Sequence, residues 1–515
     1  MKDLVVEDIE MSLAVLHKCE RFSLMLAILF LPITNSPAKI SALFGGNISS
    51  WFMYAGFLFL GYEFWKYGIT IPARFKKYIV IFSIWQIVCL AAGLYMYPFT
   101  FLLVLGQSPK LTLLLSQLSS HGLSFNEISG LKMWLFVRFT SYILVKSNLI
   151  FYALFFVFHL YKDNYVQGFK DIRRGATALA VAMGIYSIAE LIWLKTGSVS
   201  VANWLMSINS TLYTPAISHG WWPPLLWKGQ LRSLATEPSF FGILSMFALP
   251  FLWSYLMGSK LKAKYIILVL YFELMIFATN SRTAVFFLLF EIILLVLYNI
   301  LARNRFLFTR TILILALTGL AFAGNLGVNQ VNTHNMSKET SAYQYYEANL
   351  GSFKNKSYRS NAARLANVIA NIQTVRDYPL MGVGYGLKDA YLYERIPDFG
   401  KSRREVILWG KYMHVEGVLK SGYPSLNKYV DVAVVNGIPG LLLFLLPFGY
   451  TVFRLLKNRK MLLANRSVCL TVIALSGFLG TWMGNVQYPI CAGIMTGLLL
   501  VFIKQCEHQQ GRSMQ

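Results

Sequence analysis

The chain has 515 residues, 56% of them hydrophobic and only 14% charged, against about 25% charged residues in a soluble domain. Apolar runs recur along it at about 20 residues, the length that crosses about 30 Å of hydrocarbon, so a soluble globular protein is excluded. The formal charge of +24 has a sufficient cause in topology, because Lys and Arg collect in cytoplasmic loops; no nucleic-acid partner is expected.

In chain order, the hydrophobic pattern predicts an all-α polytopic membrane protein with about 12 transmembrane helices. They fall near 21–37, 48–65, 78–98, 132–160, 176–195, 238–257, 264–280, 283–301, 310–326, 429–454, 467–485 and 488–504. The first run ends in "LPITNSPAK", which lacks a small-residue cleavage site and is not expected to be a cleaved signal. The loops "WKYGITIPARFKK", "YKDNYVQGFKDIRRG", "GSKLKAK", "ARNRFLFTR" and "RLLKNRKMLLANR" are basic and fall between alternate spans. That pattern predicts both termini in the cytoplasm and the long loops on the other face. Cys19, Cys89, Cys469, Cys491 and Cys506 imply neither a disulfide framework nor a cysteine metal site.

Three regions follow: an N-terminal bundle of about nine spans (1–326), a large external loop (327–428), and C-terminal spans with a cytoplasmic tail (429–515). The loop is not a featureless linker. A helix is predicted near 358–377, capped by Ser357 or Ser360 and ended before Pro379. Leu365, Val368, Ile369, Ile372 and Val375 recur at helical spacing, which predicts that this face lies against the bundle mouth. "GVGYG" follows as a close-approach turn.

Arg282, in "ATNSRTAVFF", is expected at the membrane edge between two spans with almost no loop. Such an arginine either snorkels to headgroups or holds a phosphate or pyrophosphate in its fork. Arg364 borders the apolar stripe, with Arg359 about a turn earlier; each is either a solvated helix residue or directed toward the bundle mouth. "RSLATEPSFFG" supplies Arg232 and Glu237. An acid before Pro238 either favours a helix N-terminus, pairs with Arg232, or accepts a proton from a sugar hydroxyl. His414, Glu416, Asn427 and Asp431 lie near the loop's end. No HExxH or paired-histidine spacing occurs, so no metal and no cofactor is expected, and "GVGYG" lacks the frame of a nucleotide-binding turn.

"SRTAVFFLLFEIILL", "ARLANVIANIQTVRDYPLMGVGYG" and "LNKYVDVAVVNGIPGLLLF" occur in this order around the large loop. Together they resemble the O-antigen polymerase and O-antigen ligase superfamily, the Wzy-type integral membrane glycosyltransferases, over about residues 230–455. The resemblance implies sugar transfer on the periplasmic face of a bacterial inner membrane, from a glycan on undecaprenyl pyrophosphate. The acceptor is another lipid-linked repeat unit in a polymerase and lipid A–core in a ligase. By resemblance Arg282 and Arg364 match the family's two essential arginines. The His-Asn pair of the ligases reads Leu426–Asn427 here. That lost histidine, with the Arg…Glu-Pro pattern at 232–238, tilts the reading to a polymerase over a ligase.

In that reading Arg282 and Arg364 stabilise the leaving diphosphate, and Glu237, then His414, is the candidate base. Arg232, Arg359, Asn427 and Tyr385 are expected to bind substrate. The expected partners are the lipid-linked glycan, the bilayer and a chain-length regulator. A flippase for the same lipid is the rival from another class; such carriers show internal repeats and charges or helix breaks inside the spans, whereas no internal repeat is found here and the candidate polar residues gather on one external face.

Overall fold

The computed structural model describes residues 2–37, 46–68, 70–99, 109–123, 126–213, 224–227, 229–330, 359–416 and 423–513, and these form helices and connections with no strand among them. The N-terminal region contains α1 (Lys2–Leu29), α2 (Ile48–Tyr67), α3 (Ala73–Met96), α4 (Pro109–Ser120), α5 (Glu127–Tyr142), a π-helical turn (Ile143–Ser147), α6 (Leu149–Leu160), α7 (Tyr165–Thr196) and α8 (Val199–Leu212). Next come α9 (Pro238–Leu256), α10 (Ala263–Ala278), α11 (Arg282–Ala302) and α12 (Arg305–Gln330). The large loop contributes α13 (Arg359–Asp377), α14 (Lys388–Arg395), α15 (Asp398–Lys401) and α16 (Arg404–Glu416). The chain closes with α17 (Lys428–Lys457), α18 (Arg459–Ala464), α19 (Arg466–Thr481) and α20 (Ile490–Ser513). Among the described residues, eight spans are long and apolar enough to cross a membrane, and the protein is an all-α polytopic membrane protein. Of the other four expected spans, 48–65, 264–280 and 467–485 fall on α2, α10 and α19, whereas 21–37 overlaps only the last turns of α1, which ends at Leu29.

Hydrogen bonds between distant connections identify the two ends of the bundle. At one end Arg466 donates to the Met257 carbonyl at 2.6 Å, Lys504 to the Lys162 carbonyl at 3.3 Å, and Arg310 to the Ser259 carbonyl at 3.3 Å. This end carries the short basic loops. At the other, Leu231 N–H donates to Ala278 at 3.0 Å and Lys428 N–H to Trp482 at 2.9 Å. This end lies under the large loop and is called the capped end below.

Helix α9 runs through the core, with every residue from Phe241 to Trp253 buried. Its N-terminal turns touch α11 because Gly242 has no side chain: a Cβ there would lie 2.8 Å from the Ala284 Cα. Two adjacent helix N-termini are thereby held side by side at the capped end.

The large loop is clamped into the bundle. Helix α17 is broken at Gly437, whose φ of 69° and ψ of 177° belong to a region open essentially to glycine alone. The break frees backbone groups that the segment after Pro379 pairs with. Val383 N–H donates to Val434 at 2.8 Å, Gly384 N–H to Val435 at 3.0 Å, and Ile438 N–H to Pro379 at 2.8 Å. "GVGYG" is thus the segment that docks the loop on α17. Beyond it, Ala363, Ala370, Leu392, Ile396, Val406, Trp409 and Tyr423 form a small apolar core within the loop.

The expected α13 exists with nearly the expected bounds, but its packed face differs. Leu365 and Ile372 are 48% and 53% exposed, whereas Ala363, Ala366, Asn367, Ala370, Asn371 and Thr374 are buried. Small side chains let neighbouring backbones approach, which a leucine stripe would prevent. A Cβ on Gly400 would sit 2.4 Å from the Ala366 Cβ. Of the expected caps, Ser357 lies outside the described residues, and Ser360 falls inside the helix. Ala366→Leu is therefore expected to lower stability by about 1–3 kcal/mol, while Leu365→Asn stays within about 0.5 kcal/mol. Thermal unfolding in detergent measures both.

Candidate functional site

The α10–α11 turn is built by the "TNSR" residues. Thr279 Oγ1 accepts from Ser281 N–H at 3.1 Å, Asn280 takes the left-handed conformation with φ of 47°, and Ser281 caps α11 through Ala284 N–H. Asn280 Nδ2 also donates to the Gly229 carbonyl at 2.8 Å, which ties the 229–236 segment to the turn. The tight turn sets Arg282 at the first position of α11, partly exposed at the capped end.

Glu237 is the N-cap residue of α9, but its side chain makes no capping hydrogen bond. Ser239 Oγ donates to Glu237 Oε2 at 3.2 Å instead. Burial pushes this carboxyl's pKa up; the Ser239 hydrogen bond and the positive charge of Arg364 pull part of it back. Arg364, exposed on α13, is therefore close enough to act electrostatically on Glu237. Since the Gly242–Ala284 contact holds α9 against α11, Glu237 and Arg282 lie at two adjacent helix N-termini. Those termini are themselves favourable to anions.

Arg232 takes a different place. It is 1% exposed, its guanidinium lies 5.1 Å over the Tyr213 ring, and Nη1 donates to the Thr236 carbonyl at 3.3 Å. The backbone N–H groups of Arg232 and Ser233 donate to the Glu190 carboxylate at 3.1 and 2.7 Å. This network of α7 and the 229–236 segment holds the residues leading to Glu237, and Arg232 belongs to it rather than to the exposed surface.

Tyr385 is directed into the bundle, with its hydroxyl 2.7 Å from Ser147 Oγ and donating to Gln86 Oε1 at 3.0 Å. Asn427 caps α17: its Oδ1 accepts from Tyr429 and Val430 N–H at 3.0 and 3.1 Å. Leu426 beside it is buried. His414 and Arg359 lie on α16 and α13, and their side chains fall outside the described residues.

Sequence reasoning passed over Lys388. Its Nζ lies 3.0 Å from Asp431 Oδ1 and 3.3 Å from Ser425 Oγ, with both members of the pair 12% exposed. Burial pushes the ammonium pKa down, but the charges of Asp431 and Asp389 outweigh it and the pKa is raised. The one available signal was the position of Lys388, two residues after the glycine-rich segment. Lys388→Met is expected to cost about 3–5 kcal/mol because it leaves a buried carboxylate unpaired. The double variant with Asp431→Asn regains most of that in thermal unfolding.

The adjacent N-termini of α9 and α11 offer a carboxylate of raised pKa and one arginine at the rim of an apolar bundle, with the charge of Arg364 acting on that carboxylate. Such a site can hold an anion and take a proton from a neighbouring hydroxyl. No curated protein matches the chain. Residues 266–445 match a family model described as O-Antigen ligase. This segment contains Arg282, Arg364, Tyr385, His414 and Asn427 but neither Arg232 nor Glu237, and over it the chain is similar to the O-antigen ligase and polymerase superfamily of surface-polysaccharide assembly.

Proposed function

We propose that the protein polymerises lipid-pyrophosphate-linked oligosaccharide repeat units into a surface polysaccharide, at the periplasmic face of a bacterial inner membrane. The reading is supported by the Gly242–Ala284 contact, which sets Glu237 and Arg282 at adjacent helix N-termini, and by the pull of the Arg364 charge on the Glu237 carboxyl, under a loop clamped to α17. The lipid tail lies along the spans and the sugars lie outside. Glu237 takes the proton of the acceptor sugar hydroxyl as its oxygen attacks the anomeric carbon of the donor. The bond from that carbon to the pyrophosphate oxygen breaks, and its electron pair leaves with the diphosphate. Arg282 and Arg364 stabilise the charge developing there. Pyrophosphate leaves readily, so no covalent enzyme intermediate is needed. Arg232 and Tyr385 act as positioning residues, and Asn427 fixes the start of α17.

Transfer to lipid A–core is the second reading, favoured by the description of the matching family. The buried Leu426, where a ligase histidine is expected from the resemblance, supports the polymerase instead.

The base assignment has a pH signature. A base works only when deprotonated, and burial raises the Glu237 pKa. The rate of chain growth is therefore expected to fall on the acid side at a pH above the ordinary carboxylate value of about 4.3. Glu237→Gln removes that limb and lowers the rate by about 10²- to 10⁴-fold. An unchanged profile in Glu237→Gln excludes this residue as the base.

A further inference from the structure

At the basic end, far from the site above, three helices bring together groups that the proposed function does not use. His17 and Glu20 lie one turn apart on α1, and Glu63 lies on α2. One nitrogen or oxygen ligand atom from each lies within 4.8 Å of the others. His159, on α6, adjoins through Glu63: its Nε2 is 3.3 Å from Glu63 Oε1, and His17 Nε2 is 3.4 Å from the same oxygen. Glu20 is fully buried and Glu63 nearly so. Both Glu20 oxygens and Glu63 Oε2 have no hydrogen-bond partner.

Two carboxylates this close and this dry need either a shared proton or positive charge between them. Of the neighbouring cations on α1, Lys18 is exposed and Arg21 is committed elsewhere. Arg21 makes two hydrogen bonds to Asp171, at 2.6 and 3.0 Å. The unpartnered oxygens and the converging imidazole leave a place for an ion, and their donor set has a definite chemistry. Imidazole nitrogen with carboxylate oxygen suits a divalent first-row transition ion such as Zn²⁺. Two carboxylates also balance its charge.

We propose that His17, Glu20 and Glu63 bind one divalent transition-metal ion, which clips α1 to α2. His159 acts as a positioning residue: donating from Nε2 to Glu63 Oε1, it turns Oε2 toward the ion and extends the clip to α6. Metal-bound carboxylates are commonly oriented by such outer partners. His17 is 37% exposed and gives the ion a way in from the basic end.

The test uses the full chain in detergent, purified through a tag without histidine, stripped with chelator, loaded with Zn²⁺ and desalted. Metal content and unfolding temperature are then measured. The expected result is one zinc per chain and a higher unfolding temperature, since an ion that binds only the folded state stabilises it. Glu20→Gln, Glu63→Gln and His17→Asn lose both effects. His121→Asn, which changes an exposed histidine on the other side of the bundle, keeps both. His159→Asn binds but releases zinc faster. His17→Asn changes a partly exposed side chain, so it keeps the test decisive if a buried glutamate variant misfolds. Wild type that holds no more zinc than the Glu20→Gln/Glu63→Gln double variant overturns the proposal and leaves a cluster held by shared protons. Zinc that survives all three ligand substitutions overturns it as well.

Discussion

Arg364→Ala is expected to slow glycan transfer by about 10²- to 10³-fold, the cost of removing one fixed group that stabilises developing charge. The protein stays folded, because Arg364 is exposed on α13 and the buried face of that helix is made of alanine, asparagine and threonine. Arg282→Ala is expected to cost a similar factor from the neighbouring helix. Arg364→Lys keeps the charge but not the fork that matches a diphosphate, so it recovers only part of the rate. The Arg364 variant carries a second signature. Arg364 lowers the Glu237 pKa, so its removal moves the acid limb of the rate profile to higher pH. Arg376→Ala, an 80% exposed side chain on the same helix, leaves rate and profile unchanged. Steady-state transfer from a lipid-pyrophosphate donor across a pH series measures all of these. Equal loss in Arg376→Ala would mean that the helix needs only diffuse positive charge.

Gly437→Ala is expected to release the clamp. An added Cβ would lie 1.9 Å from the Leu380 carbonyl oxygen and 2.9 Å from Met381 N, in a conformation whose strain alone costs about 1–3 kcal/mol. The clash falls where three inter-segment hydrogen bonds meet, so the 379–384 segment must withdraw. Proteolysis within the large loop is expected to speed up and transfer to be lost. The α9–α11–α19 packing, which does not involve Gly437, stays intact by thermal unfolding. Gly449→Ala on the same helix is the control. Nothing lies within 4 Å of its added Cβ, and this exchange in a helix stabilises by about 0.5–1 kcal/mol.

The membrane architecture was legible because hydropathy and basic loops report one thing, which segments prefer hydrocarbon and which end faces Lys and Arg. The loop helix was legible for the same kind of reason: its polar composition is broken by an apolar period and ended by Pro379. Its packed face was not. Leu365 and Ile372 are larger and more apolar than Ala366 and Ala370, yet close helix approach selects size over hydrophobicity. Arg282, Arg364 and Glu237 were each visible as residues in motifs. That Glu237 and Arg282 start adjacent helices depends on the Gly242–Ala284 contact, which links segments far apart in the chain. Lys388 and Asp431 are 43 residues apart, and Glu63 and His159 are 96. No local spacing marks either pair. Arg232 shows the converse: a motif arginine reads as functional in sequence, and its neighbours then bury it over Tyr213.

The central claim is tested most directly by placing the purified protein in vesicles with lipid-pyrophosphate-linked repeat units as the sole glycan, and following product length on a gel. The account predicts a lengthening ladder on the lipid carrier with no lipid A–core present, lost in Arg282→Ala and Arg364→Ala. Product that appears only when lipid A–core is added, with no growth on the carrier, would contradict it and make the protein a ligase.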